Sequence, residues 1–379
     1  MTVSDEWVMI MSYSLSVPCL LGLEGPIADE LRRLELQDVS AENGRVNFRG
    51  SAEAVARANI NLRIGERVLL ELGRFQALSF DELFEGTRAL PWESIIPRDG
   101  AFPVKGYSLN SKLFSVSDCQ KIIKKAIVER LKKVYGLEWF PETEACYQVQ
   151  FAIMKDQVSL SLDTSGEGLH KRGYRPAHNA APLKETMAAA MVTLSRYRGR
   201  DDFCDPFCGS GTIPIEAALI AKNRAPGLYR EFRAMDWPVI GRAVFERERE
   251  AARAREYCGD YRIVGSDIDP KAIALAEENA RRAGVTDCVR FEVADAAQFD
   301  RKTERGVIVT NPPYGERIME KAEAERLYRA FGAAWAKTEN WQLYLLSSHT
   351  EFERCFGRPA DKKRKLYNGM IKCDLFMYL

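Results

Sequence analysis

Residues 310 to 315, Thr-Asn-Pro-Pro-Tyr-Gly, follow the apolar run Gly306-Val-Ile-Val, where a buried strand should end. Asn311 supplies an amide oxygen, the two prolines fix φ and remove competing N–H groups, and Tyr314 offers a face on which a planar group stacks. Gly315 allows close backbone approach. An amide, a rigid turn and an aromatic ring in that order are either a ligand-holding set or a plain way to leave the sheet. Pro-Pro-Tyr-Gly is also an ordinary turn, so the ends of the neighbouring strands decide between the two.

Three further strand tips carry acids. Asp205-Pro-Phe-Cys-Gly-Ser-Gly-Thr212 has Gly209 and Gly211, which let the backbone pass close to a ligand. It lacks the Lys of a phosphate loop and does not match G-x-G-x-x-G. The second tip reads Ser266-Asp267-Ile268-Asp269-Pro270. Asp269 and Pro270 predict the cap and first turn of a helix over "KAIALAEENARRAG". Asp267 is then left at the tip, either as a turn residue or as a carboxylate that accepts both hydroxyls of a ribose. Asp295 ends the third strand, as an acceptor for an adenine amino group or as the cap of "AAQF". An acid or amide at each of four consecutive tips, with a glycine loop on the first, favours a nucleoside ligand without a phosphate cradle.

Tips of this kind need a parallel sheet to carry them. From residue 182 onward "DDFCDPF", "RIVGSDI", "CVRFEVAD", "GVIVTNPP" and "WQLYLLSS" alternate with helical segments, and "KRKLYNG" pairs with "MIKCDLFMYL". The fold class is therefore α/β, a doubly wound sheet, preceded by an α+β region. Residues 1–75 read as strand, helix, strand, helix, strand. Residues 76–165 repeat the mixture, and residues 166–379 form the doubly wound domain. Within the middle region "SDCQKIIKKAIVERLKKVYG" is a helix, with a Ser117/Gln120 capping box, an apolar stripe of Ile122, Ile123, Ala126, Ile127, Leu131 and Val134, and a stop at Gly136. Its Lys and Arg residues lie off that stripe and make either a solvated face or a phosphate-tracking one.

Composition sets limits. The chain has 379 residues, 46% hydrophobic and 29% charged, enough for two or three domains with a sizeable core. Lys plus Arg is 55 against 54 for Asp plus Glu, so a polyanion site must come from local clustering. Nine Cys without a C-x-x-C pair, and only three His, point to reduced thiols and no metal. No apolar run reaches the roughly 18 residues of a membrane span, and Asp5 and Glu6 stand where a signal peptide carries positive charge. The expected compartment is the cytoplasm.

"DPFCGSGT", "GSDID", Ala294-Asp295 and "NPPYG" resemble motifs of class I S-adenosylmethionine methyltransferases that act on amino groups. "GLHKRGYR", "PLKETMAAAMVTL" and "KLYNGMIKC" narrow the resemblance to RNA guanine-N2 methyltransferases that carry an N-terminal ferredoxin-like layer and a THUMP domain. It covers almost the whole chain from about residue 12. The resemblance implies S-adenosylmethionine as cofactor, with Gly209 and Gly211 against its methionine part and Asp205 near the amino group. Asp267 takes the ribose and Asp295 the adenine, while Leu183, Lys184 and Thr186 flank the pocket. Thr212, Ile268, Ala296 and Asn311 complete the expected cofactor contacts.

At the catalytic tip, the Asn311 oxygen and the Pro312 carbonyl would each accept one N–H of the guanine amino group, and Tyr314 would stack on the extruded base. Structured RNA is the expected partner, 23S rRNA first and tRNA second. Lys171, Arg172 and Arg175, and Lys362, Lys363, Arg364 and Lys365, are either candidate phosphate contacts or solvated charge runs. The long interval between Gly211 and Asp267 departs from a minimal βαβ unit, but the insert over residues 223–250 resembles one these enzymes have. Its Trp237 is expected in the core. Two rivals are an adenine-N6 DNA methyltransferase and an inactive RNA-binding assembly factor. The first would need its recognition surface in the N-terminal region, and the second has no reason to keep the full set of tip residues.

Overall fold

The structure, a computed structural model, describes residues 12–175, 183–301, 303–313, 321–338, 340–369 and 371–379. Its N-terminal part is built on one sheet with strands β1 (Tyr13–Pro18), β2 (Gln37–Glu42), β3 (Arg45–Gly50), β4 (Leu69–Gln76), β5 (Val104–Leu109), β6 (Val149–Met154) and β7 (Gln157–Asp163). The spatial order is β2-β3-β1-β4-β7-β6-β5. Helices α1 (Glu24–Arg33), α2 (Ala52–Asn61), α3 (Phe80–Arg88) and α4 (Val116–Tyr135) accompany it. The boundary expected at residue 75 falls at the end of β4. That strand pairs with β1 on one side and β7 on the other, so the two N-terminal regions share a single sheet.

Three readings of this part are corrected. β2 was not foreseen: five of its six residues are exposed, so it lacks the apolar alternation that marks a half-buried strand. α3 also escaped notice, although Ser79 caps it by accepting a hydrogen bond from the Glu82 N–H. The Ser117/Gln120 capping box does not form. α4 begins one residue earlier with Ser115 at its N-cap, and the Gln120 side chain instead donates to the Val104 carbonyl. Ile123, Ala126, Ile127 and Leu131 are buried as expected, whereas Val134 is exposed. Gly136 ends the helix at φ +63°, a left-handed cap that suits glycine. Most basic residues of α4 have acidic partners: Lys121 with Asp118, Lys124 with Glu142, Arg130 with Glu93 and Lys132 with Glu138.

The C-terminal sheet contains β8 (Asp202–Asp205), β9 (Ile263–Asp267), β10 (Val289–Val293), β11 (Gly306–Thr310), β12 (Trp341–Ser347), β13 (Lys362–Asn368) and β14 (Ile371–Tyr378). Its order is β10-β9-β8-β11-β12-β14-β13, with the first five parallel and the last two antiparallel additions. The order reverses direction between β8 and β11, and ligands bind at such a switch point in open α/β sheets. α5 (Glu185–Leu194), α6 (Thr212–Ala221), α7 (Arg242–Ala254), α8 (Pro270–Ala283), α9 (Lys321–Trp335) and α10 (Phe352–Phe356) complete the domain. α6 is apolar on nearly every side and nine of its ten residues are buried, as a helix enclosed by its neighbours should be. α8 has the predicted ends, with Asp269 accepting from the Lys271 N–H, Pro270 in the first turn and Gly284 at φ +67°.

The two halves are bolted together. Trp237 of the insert is fully buried, stacks on Tyr147 with ring centroids 4.9 Å apart, and donates to the Cys146 carbonyl at 3.0 Å. It is core, as expected, and its partners belong to the N-terminal half. Arg57 of α2 forks onto Glu248 of α7 at 2.9 and 2.8 Å. One apolar cluster accordingly runs from Val17 and Phe48 through Leu162 and Trp237 to Ile263 and Leu375.

Candidate active site

The tips of β8, β9, β10 and β11 converge as the sequence requires. Asp205, 1% exposed, accepts from the Thr310 hydroxyl at 2.6 Å and from the Phe207 N–H at 3.1 Å. It thereby ties the start of the glycine loop to the residue just before Asn311. Burial pushes its carboxyl up to about 7, against the pull of those two hydrogen bonds, and the nearby Asp267 charge adds to the rise.

Gly209 sits at φ +51° with open space where a side chain would be, and its N–H donates to Asp267 at 3.0 Å. At Gly211, φ is +81°, and a Cβ would come within 2.9 Å of Ala276 and Phe291, so only glycine fits this turn into α6. Asn279, fully buried on α8, donates to the Ser210 carbonyl and holds the loop from below.

Asp267 also accepts from the Asp269 N–H at 3.0 Å and stays partly open to solvent. Both the turn role and a surface for a ligand therefore belong to the same carboxylate. Ile268 beside it is 69% exposed, an apolar side chain at a strand tip with nothing over it among the described residues. Asp295 accepts from the Ala297 N–H as a cap, is half-buried, and precedes the buried Ala296.

On β11 the Asn311 Oδ1 is shielded from water and accepts no hydrogen bond among the described residues. Few buried polar atoms are left so. Pro312 is buried next to it. The Pro313 carbonyl accepts from the Tyr328 hydroxyl of α9 at 2.7 Å, and the same hydroxyl lies 3.4 Å from Ser347 Oγ at the end of β12. Tyr314 and Gly315 lie outside the described residues.

Several expected roles change. Arg172 is 6% exposed and pairs with the fully buried Glu216 of α6, so it cannot meet RNA phosphates. Arg175 is likewise turned inward, donating to Thr212 Oγ1 and the Leu183 carbonyl and pairing with Glu185. Only Lys171 of that cluster is exposed, and it pairs with Glu167. Lys184 and Thr186 are both engaged by Glu66 from the N-terminal half. In the last basic cluster Lys363 pairs with Glu353 and Arg364 donates to the Gly22 carbonyl, while Lys362 and Lys365 are exposed.

Three residues of the site were not foreseen. Tyr328 fixes the Pro313 carbonyl, Glu66 reaches in from the other half, and Ser348 follows β12 with its Oγ shielded and, like the Asn311 Oδ1, unbonded among the described residues. Reading the tip of the fifth parallel strand with the other four would have found Ser348.

Open space at Gly209, the exposed Ile268, the Asp267 carboxylate and an Asn311 oxygen that is unbonded among the described residues are compatible with a nucleoside cofactor. Among the described residues no cluster of His, Cys, Asp or Glu could hold a metal ion, and no helix is long and apolar enough to cross a membrane.

Comparison with known proteins supplies the context. The RMKL-like methyltransferase domain matches residues 172–376, the RlmL ferredoxin-like domain residues 14–69, and the THUMP domain residues 77–163. YpsC of Bacillus subtilis (strain 168), a candidate RNA methyltransferase, is 46% identical over 97% of this chain and 96% of its own length. The ribosomal RNA large subunit methyltransferase K/L of Psychromonas ingrahamii is 33% identical over 96% of this chain, which spans 50% of that longer protein. A candidate methyltransferase crystallised with SAH superposes with a TM-score of 0.92 at 39% identity, covering 98% of both chains.

Proposed function

This chain belongs to the RMKL-like methyltransferase family of S-adenosylmethionine-dependent RNA methyltransferases, and on that premise we propose that it methylates the exocyclic N2 amino group of a guanine in 23S rRNA. The observation that carries the proposal is the Asn311 oxygen, shut off from water and unbonded among the described residues. Leaving such an acceptor unsatisfied costs about 1–3 kcal/mol. An amino group brought to the β11 tip would satisfy it. S-adenosylmethionine, when bound, supplies a methyl on a cationic sulfur.

The residues of the chain do the rest. The Asn311 oxygen and the Pro312 carbonyl accept the two N–H bonds of the amino group, whose lone pair is otherwise delocalised into the ring, and favour a pyramidal nitrogen. Proline at 312 and 313 has no N–H to compete. Tyr328 holds the Pro313 carbonyl, which stiffens the turn. Asp205 and Thr310 tie that turn to the glycine loop. Gly209, Gly211, Thr212, Asp267, Ile268, Asp295 and Ala296 form the cofactor side. Alignment supplies most of the acceleration, and no side chain is needed as a strong base.

The base would reach this tip only if flipped out of its helix, with Tyr314 as the stacking face. The choice of 23S rRNA rests on the name of the K/L relative, the choice of guanine N2 on the motifs, and the THUMP match supports RNA over duplex DNA. Such a reaction belongs in the cytoplasm.

Labelled methyl transfer to purified 23S rRNA and tRNA from cells lacking the enzyme, with nucleoside analysis, tests the reading. N2-methylguanosine in 23S rRNA is the expected product. Label in tRNA would overturn the substrate, N6-methyladenine would overturn the assignment of the amino group, and no label in either RNA would favour an inactive binding factor.

A further inference from the structure

The loop from His170 to Arg175 is basic, yet its arginines face the interior, and the contacts they make lead to the cofactor side of the site. Arg172 donates to the carbonyls of Leu169 and Arg63 and stands 3.4 Å from Glu216, whose carboxylate also accepts from the Tyr174 hydroxyl at 3.1 Å. Arg63 follows α2 in the ferredoxin-like region, whereas Glu216 lies on α6, so Arg172 spans the two halves.

Arg175 continues the line. One of its guanidinium nitrogens donates to Thr212 Oγ1 at 3.0 Å and to the Leu183 carbonyl at 3.1 Å, and the other stands 3.0 Å from Glu185. Thr212 is the first residue of α6 and directly follows Gly211. A cation at a helix N-terminus opposes the helix dipole, a cost that the Glu185 carboxylate offsets. Burial pushes the Glu185 carboxyl up, and the Arg175 charge opposes that rise.

Leu183 to Thr186 is held from its other side by Glu66, which follows α2. The carboxylate of Glu66 accepts from Thr186 Oγ1 at 2.8 Å and from Lys184 Nζ at 3.3 Å, with His170 Nδ1 3.4 Å away. Burial alone would raise this carboxyl, but His170, Lys184 and Thr186 outweigh it and hold it at about 2. Leu169 N–H donates to the Glu66 carbonyl, which closes the loop onto the same residue.

We infer that Arg175 and Glu66 are positioning residues for the cofactor pocket: together they clamp the segment 183–186 and the start of α6, so that the ferredoxin-like region forms part of the methyltransferase site. The inference rests on the cofactor placement proposed above. It explains why a basic loop next to an RNA-binding domain is buried, and it makes the N-terminal half necessary for tight cofactor binding.

Calorimetric binding of SAH to the full chain tests it. Arg175→Lys keeps the charge but has one nitrogen in place of the planar fork, so it cannot hold Glu185 while also bonding Thr212 and Leu183, and should raise Kd about 10-fold. Glu66→Gln keeps the size and one acceptor and should raise Kd several-fold, which covers the case in which the arginine variant does not fold. Both Kd values are read well below each variant's Tm. A merely structural role would lower Tm and leave Kd within about twofold of wild type, and that result for both variants overturns the inference. Asp267→Ala serves as the control. If it abolishes SAH binding while the other two variants do not change it, the clamp alone is wrong; if all three bind as wild type, the cofactor placement fails and the clamp with it.

Discussion

Tyr328→Phe removes one oxygen from α9, and its effect can be worked out from the contacts of that ring. The residue is fully buried, and its ring meets His349 and Phe352 edge-on at centroid distances of 5.8 and 5.0 Å. Phenylalanine keeps that packing, so the substitution opens no cavity of consequence. What disappears is the 2.7 Å hydrogen bond to the Pro313 carbonyl and the 3.4 Å approach to Ser347. Losing the partner of this partly buried carbonyl costs about 1–3 kcal/mol at most. If the turn at 311–313 relaxes to recover that energy, the acceptors Asn311 and Pro312 lose their aim and the cost appears in the transition state. At about 1.36 kcal/mol per tenfold, single-turnover methyl transfer should slow by about 5- to 150-fold, with SAH affinity unchanged. The assay is single-turnover transfer of labelled methyl to 23S rRNA, with SAH calorimetry and a thermal melt on the same preparation. A rate within twofold of wild type, accompanied by a lower Tm, would mean that Tyr328 supports folding and does not orient the site.

Two further predictions concern buried charge. The carboxyl of Asp205 is held at about 7 by burial, above its value in an unfolded chain. Between about pH 4 and 7 the native state therefore binds more protons than the unfolded one, and the contribution of this group to stability falls as pH rises, reaching its lowest value above 7. Asp205→Asn removes that slope, so the Tm of the variant minus that of wild type should increase from pH 5 to pH 8; a difference that does not depend on pH would contradict the assignment. Arg172→Ala leaves the fully buried Glu216 without its cation, and the unfolding free energy should fall by about 3–5 kcal/mol. Unchanged denaturant stability with weakened RNA binding would instead return Arg172 to the RNA surface.

Much of the catalytic half was legible because its central strands β8, β9 and β11 are mostly buried and short, each closed by an acid or amide. α8 was readable from Asp269, Pro270 and Gly284 alone. The N-terminal sheet was harder. β2 has no apolar periodicity, and in α4 the competing use of Gln120, which reaches across to Val104, cannot be seen in a local pattern. Arg172 and Arg175 were misread for a similar reason. A basic loop reads as solvated until its partners are known, and Glu216 lies 44 residues further along the chain. Thr310 and Asp205, 105 residues apart, show the same limit: the tips were identifiable, but the hydrogen bond that couples two of them comes from the sheet order.

The most direct test of the account is the rate of methyl transfer by Asn311→Ala, measured under single-turnover conditions on the RNA that wild type modifies, alongside its affinity for SAH. Loss of one well-placed group in a site that works by alignment costs about 10²- to 10³-fold. That fall, with SAH Kd within twofold of wild type, is the predicted result. Transfer at the wild-type rate would contradict the central claim that the Asn311 oxygen holds the reacting amino group.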